Sequence, residues 1–348
     1  MAHCKCVASL TKSKFLDSCS NGYGPVPCLS AEIPYTSPDS LYPLFSGSAS
    51  FVFESVKGPE KIARYSFIGF DPYLSVCVKG NKSEVRSEVS CSVTDMHPLR
   101  LLGELLEDYA QKPVNELPPF QGGAAGLLSY DFVRYLERLP VTTIDDLAIP
   151  DAHFFFVDRL IAFDHKEKKA WVIVCPGVRR KACMNAGLWY EEAESVLEEV
   201  CGRIDSASWG EGPPVVRPAR PGIQIVHGMT KKDYMDMVTK AKEYIAAGDI
   251  FQANLSHRIS AYIDETSPWE LYRILRAMNP SPFAGFVDFG GYCIVSSSPE
   301  RLVKVKDGTV ETRPIAGTRP RGRNGNEDER MREELLLNEK ERAEHIML

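Results

Sequence analysis

The sequence predicts an α+β chain, built mainly of antiparallel sheets with flanking helices. Three observations predict it. Runs rich in Phe, Val, Tyr and Ile occupy 51–80 and 283–313, apolar residues recur at helical spacing over 97–111 and 230–248, and the two patterns interleave without a strict strand-helix-strand rhythm. A doubly wound parallel sheet is therefore disfavoured.

Taken in order, "FVFESVKGPEKIARYSFIGFDPYLSVCVKG" (51–80) reads as short strands punctuated by Gly58-Pro59, Asp71-Pro72 and Gly80. "HPLRLLGELLEDYAQ" follows as a helix with Leu101, Leu102, Leu105, Leu106 and Tyr109 on its repeat. "GGAAGLLSYDFVRYLERL" reads as a strand running into a helix, and "AHFFFVDRLIAFDHKEKKAWVIVC" as two strands around a charged turn. Residues 205–222 are rich in Pro, Gly and Ser, which places a boundary between an N-terminal domain (1–215) and a second one (216–348). Beyond it, Thr230 with Asp233 forms a capping box that opens a helix, and Gly248 suits its stop. "GDIFQANLSHRISAYI" alternates as a strand, and Ser267, Pro268 and Glu270 begin another helix. Asp307-Gly308 between alternating runs is a strong hairpin signal. A charged helix is expected from Asn326 to the end, with Leu335, Leu336, Ala343, Ile346 and Met347 as its buried positions. No stop signal follows Leu348, so a C-terminally truncated domain is expected.

Composition excludes several classes. The formal net charge of −6 over 348 residues disfavours nucleic acid, and no apolar run reaches the length of a membrane span. Neither a signal peptide nor a Cys-x-x-Cys pair is present, so the reading is a cytoplasmic protein whose ten cysteines are buried free thiols. Cys4 and Cys6 beside His3 offer adventitious metal ligands, with a frayed terminus as the blander and preferred account.

Two carboxylates stand out. Glu300 in "SSSPER" lies at a strand end, where burial would tune it as a general acid; the bland alternative is a surface ion pair with Arg301. Glu344 in "NEKERAEHIML" suits magnesium, which takes one or two protein carboxylates plus substrate oxygens, or else it is one of many solvated glutamates. In "ETRPIAGTRPRGR" (311–323), Arg313, Arg319, Arg321 and Arg323 form the densest basic cluster, around the small residue Ala316.

"GDIFQANLSHR", "NPSPFAGFVD", "SSSPERLVKV", "TRPIAGTRPRG" and "NEKERAEHIML" occur in that order in a family this chain resembles, the chorismate-utilising enzymes, especially component I of anthranilate synthase and of aminodeoxychorismate synthase. The resemblance covers nearly the whole chain. It implies that Glu300 protonates the departing C4 hydroxyl of chorismate, that Glu344 is a ligand of Mg2+, and that Gly317 and Thr318 meet the substrate. Gln252 stands where relatives that add water carry a lysine, so ammonia is the implied nucleophile. No cysteine elbow for glutamine hydrolysis is present, which implies a glutamine amidotransferase partner.

Ala316 occupies the position of a lysine nucleophile in many aminodeoxychorismate synthases, and alanine there suits direct amination at C2, the anthranilate route. Asn254 and the pair Phe283-Ala284 resemble the other branch. The sequence reading is 4-amino-4-deoxychorismate formation, hence folate, with anthranilate as the alternative and a non-catalytic ligand-binding fragment as the rival class. Glu54 and Ser55 in "FVFES", with Pro282 and Phe283, resemble a pocket for tryptophan, where Glu54 would receive an ammonium group. The 348 residues alone are expected to be inactive, because the resemblance places further substrate and metal ligands beyond Leu348.

Overall fold

In the computed structural model the apolar runs pair as antiparallel strands and the helix stripes cover their faces. The structure describes residues 7–19, 25–179, 185–207, 223–263 and 266–348. The chain opens with α1 (Lys12–Cys19), β1 (Leu29–Ile33), α2 (Pro38–Phe45), β2 (Ser50–Glu54), β3 (Tyr65–Gly69), β4 (Leu74–Lys79), β5 (Lys82–Ser87) and β6 (Cys91–Thr94). Next come α3 (Pro98–Asp108), β7 (Gly123–Leu128), β8 (Ala152–Val157), β9 (Arg159–Asp164), β10 (Lys169–Val174) and α4 (Ala186–Ser206). The remainder is β11 (Ile225–His227), α5 (Lys231–Ala247), β12 (Ile259–Ala261), α6 (Pro268–Met278), β13 (Phe283–Asp288), β14 (Cys293–Ser298), β15 (Lys304–Lys306), β16 (Thr309–Glu311), α7 (Gly325–Leu337) and α8 (Glu339–Met347).

Two compact units result, Met1–Pro214 with Pro268–Pro299, and Val215–Ser267 with Glu300–Leu348. The boundary expected at 215/216 lies outside the described residues, as do His3, Cys4 and Cys6. A single cut there would leave Pro268–Pro299 with the C-terminal part. The structure gives that segment to the first unit, because β13 pairs with β2 from Ala284–Glu54 to Asp288–Ser50.

The described residues of the first unit form a seven-stranded sheet in the order β1-β10-β9-β3-β2-β13-β14 and a five-stranded sheet in the order β6-β5-β4-β8-β7. Period-two alternation splits β9: Ile161 and Phe163 face the core beneath α1, α2 and α4, whereas Leu160 and Ala162 join Val76, Val78, Phe156 and the α3 residues Leu101 and Leu102. Where two strands were expected over 152–175 there are three. Asp158 breaks the run, leaving β8 in one sheet and β9 in the other. Its carboxylate is buried and accepts from Arg179 Nε at 2.8 Å and Nη2 at 3.0 Å. The same guanidinium reaches Asp71 Oδ2 at 3.2 Å, between β3 and β4, so one arginine ties both places where the chain changes sheet.

Helix α6 is fixed by a second buried carboxylate. Glu54, 3% exposed, accepts from Tyr272 Oη at 2.6 Å and from Arg276 Nε and Nη2 at 2.8 and 3.0 Å, and Arg276 also pairs with Asp39 at 3.2 Å. Burial pushes the Glu54 carboxyl above its usual range while the Arg276 guanidinium pulls the other way.

In the second unit the Thr230–Asp233 capping box and the Gly248 stop, at φ +82°, are as the sequence predicts. The expected strand over 248–263 shrinks to β12, because β11 offers it a partner for three residues only. The expected terminal helix starts earlier and divides: Asn324 caps α7 through Glu327 N, and Asn338 ends α7 and caps α8 through Glu341 N. Leu336, Ile346 and Met347, expected to be buried, are 58%, 78% and 47% exposed, since no described element covers them.

Glu54→Ala would leave the Arg276 guanidinium without its buried partner, a loss of about 3–5 kcal/mol, so a large drop in thermal midpoint is expected by calorimetry. A smaller effect separates protonation states elsewhere. His153 stacks on Phe289 at 4.3 Å, its Nδ1 lies 3.1 Å from Tyr292 Oη, and burial pushes its pKa from 6.5 down to about 4. The native ring is the neutral one, so stability present above pH 6.5 is lost as pH falls toward about 4. With the ring's partial exposure discounted the loss is on the order of 1–2 kcal/mol. Urea midpoints at pH 7 and pH 4.5 should differ more for the natural chain than for His153→Phe.

Candidate functional site

The site is built by a hairpin. Asp307 and Gly308 both have positive φ, +50° and +74°, the conformation that a tight two-residue turn with right-handed strand twist requires. The turn sets the β15–β16 register, which pairs Lys304 with Glu311, and the same register continued outward brings Glu300 opposite Ile315. Thr312 Oγ1 donates to Leu302 O at 2.8 Å, and Arg301 pairs with Glu311 at 2.6 Å. Glu300 Oε1 accepts the backbone N–H of Ile315 at 3.0 Å. The strand-end carboxylate thus borders the turn that carries Ala316, Gly317 and Thr318.

That turn is locked from its other side by the α7–α8 pair. Gly317 has φ +72°, and a Cβ there would lie 2.5 Å from Glu341 Oε2. Arg319 donates from Nε to Glu334 of α7 at 2.8 Å and from Nη1 to Glu341 of α8 at 2.8 Å, and its Nη1 also reaches Thr318 O at 2.9 Å. One guanidinium clamps the loop to both helices. Glu344 lies one helical turn beyond Glu341 and pairs with Lys340 at 2.9 Å. Two carboxylates at this spacing supply hard oxygen donors on one helix face, a set that suits magnesium, although no three His, Cys, Asp or Glu side chains converge among the described residues.

The structure therefore brings Glu300, Ala316, Gly317 and Thr318 together and sets Glu341 of α8 against their turn. Gln252 lies on an irregular exposed stretch, with no hydrogen bond or ion pair to these groups among the described residues. Glu54, Ser55, Pro282 and Phe283 meet in the first unit: Ser55 Oγ donates to Pro282 O at 3.2 Å, and Ala284, next to Phe283, is the strand partner of Glu54. There the Glu54 carboxylate serves Tyr272 and Arg276.

Sequence reasoning missed Glu341, Tyr272 and Arg276, and read Arg319 as part of a basic cluster rather than as the clamp on both helices. The i, i+3 spacing of Glu341 and Glu344 and the i, i+4 spacing of Tyr272 and Arg276 were the available signals.

A family model described as chorismate binding enzyme matches residues 49–348, and the chain belongs to that family. Among its relatives, anthranilate synthase component 1 of Acetivibrio thermocellus is 39% identical over 316 residues, and aminodeoxychorismate synthase component 1 of Bacillus subtilis is 36% identical over 302. These matches cover 89% and 85% of this chain but 63% and 60% of those proteins. The chain thus spans about three fifths of the length of the curated relatives it matches. The crystal structure of anthranilate synthase component I from Streptococcus pneumoniae superposes with a TM-score of 0.68 at 30% identity, over 90% of this chain and 65% of that one.

Gly317→Ala forces a side chain into the left-handed region and onto Glu341, a cost of about 1–2 kcal/mol. Loosening of the turn should speed hydrogen exchange of the Ile315 amide by roughly tenfold or more, read by mass spectrometry.

Proposed function

We propose that this protein is component I of a chorismate-aminating synthase, fed with ammonia by a glutamine amidotransferase subunit. The observation that carries the reading is Glu300 held on the Ile315 amide beside the Ala316–Gly317–Thr318 turn. An acid at a rigid strand end can deliver a proton to a leaving oxygen, a contribution of roughly 100- to 10,000-fold. Ammonia bonds to a ring carbon as the C4 hydroxyl, protonated by Glu300, departs as water. Gly317 and Thr318 offer backbone and hydroxyl groups to a substrate carboxylate. Glu344, with Glu341 one turn before it, would hold magnesium, which would neutralise a carboxylate of the substrate.

The product we propose is anthranilate. Ala316 has no amine to occupy C2, which leaves that carbon to ammonia, and loss of pyruvate then aromatises the ring. Relatives named anthranilate synthase, at up to 39% identity, favour the same product. A second reading, amination at C4 to aminodeoxychorismate on the folate route, is favoured by Asn254, by Phe283-Ala284 and by the Bacillus subtilis relative.

The test is to incubate the natural polypeptide carrying this sequence with chorismate, magnesium and ammonium and to separate the products. Anthranilate with equimolar pyruvate is expected, and aminodeoxychorismate without pyruvate would assign the second reading. Neither product would overturn both. Glu300→Gln should lower kcat by at least about 100-fold with little change in KM.

A further inference from the structure

We propose that Cys28 and Cys175 form a reversible cross-strand disulfide, a redox lock on the edge of the seven-stranded sheet. Cys28 stands one residue before β1 and Cys175 one residue after β10. The register that pairs Leu29 with Val174, carried one step outward, sets the two cysteines directly opposite each other. The kind of pair they make follows from the next strand along. Cys175 donates its backbone N–H to Asp158 O at 2.7 Å, on the β9 side. The N–H and C=O of a strand residue point the same way, so Cys175 turns neither toward β1, and Cys28–Cys175 is a non-hydrogen-bonded pair. The Cα atoms of such pairs stand about 4.5 Å apart, within the span of about 4.4–6.8 Å that disulfides bridge.

The side chains agree with the backbone. Both thiols meet the same residue, Cys28 Sγ donating to Gln121 Oε1 at 3.4 Å and Cys175 Sγ to Gln121 O at 2.9 Å. Other described strand cysteines have no such partner: Cys77 faces Glu84 and His153, Cys91 faces Arg86, and Cys293 faces Asp288.

Access is controlled by the sheet. Both thiols are buried, at 1% and 3% exposure, and burial raises their pKa values, that of Cys28 to about 12. The closed sheet therefore shields them. Strand β1 is an edge strand, held by its ladder to β10 and, beside Cys28, by the Pro27–Lys112 bridge with Lys112 N–H donating to Val26 O at 2.9 Å, so parting these contacts frees the pair. The step is exchange with a small-molecule disulfide such as oxidised glutathione. One cysteine thiolate attacks the oxidant's S–S bond and releases one reduced thiol. The second thiolate then displaces the remaining half, forming the Cys28–Cys175 bond and passing two electrons and two protons in all to the oxidant.

The experiment equilibrates the natural chain in graded mixtures of oxidised and reduced glutathione, quenches with N-ethylmaleimide and maps the cysteines by mass spectrometry. A linked Cys28–Cys175 peptide pair that dithiothreitol dissolves is expected. A thermal midpoint raised by about 5 °C or more should accompany it and vanish in Cys28→Ser. Recovery of both cysteines as free thiols, alkylated only after denaturation while exposed Cys91 reacts, would overturn the proposal. So would either one joined only to glutathione or to a different cysteine. The mapping uses the unsubstituted chain, so misfolding of the serine variant does not affect it.

Discussion

The buried carboxylate of Glu54 is the constraint on which the arrangement of the first unit rests. It sits on β2, opposite Ala284 of β13, and it accepts from Tyr272 and Arg276 of α6. Both halves of the segment Pro268–Pro299 are thereby anchored to a strand more than 200 residues earlier in the chain. An apolar replacement of the whole cluster would be about as stable, since buried ion pairs repay little more than their desolvation. The β13 register is specified by its apolar alternation. A slip of β13 by one residue would turn Ala284 and Phe286, 2% and 3% exposed, away from the core they share with Tyr42 and Tyr272.

How far the site was legible depends on whether its contacts are local. Counting seven residues outward on each side of Asp307-Gly308 leads to Glu300 and Ile315, so the meeting of the carboxylate with the Ala316 turn follows from one dipeptide. The capping box at Thr230 was legible for the same reason, as its partners lie three residues apart. Nothing local marks Asp158, where the chain changes sheets without a Gly or Pro; its partner Arg179 lies 21 residues on. Nor could "FVFES" reveal that Arg276, 222 residues away, takes the Glu54 carboxylate that sequence reasoning assigned to a ligand's ammonium group.

The helices of the second unit separate pattern from cover. Residues of α5, α7 and α8 recur with an apolar period, yet none of these helices has a buried residue. A helical stripe reports what a helix is built to bury, and the burial itself needs a neighbour. The exposed apolar faces and the activity proposed for this site are therefore one question, since a carboxylate gains catalytic character only when water is excluded around it.

The basic cluster gives the last step. Arg313, Arg319, Arg321 and Arg323 read in sequence as anion-binding chemistry crowded around Ala316, but the structure neutralises three of these side chains internally. Arg313 pairs with Glu311, Arg319 with Glu334 and Glu341, and Arg321 with Asp328. Their charge is directed to holding the loop. The loop closes at a glycine whose φ of +72° and approach to Glu341 leave no room for a side chain, next to the small Ala316. The smallness of Gly317 is thus what the packing of this stretch requires, and the arginines hold the loop in one place.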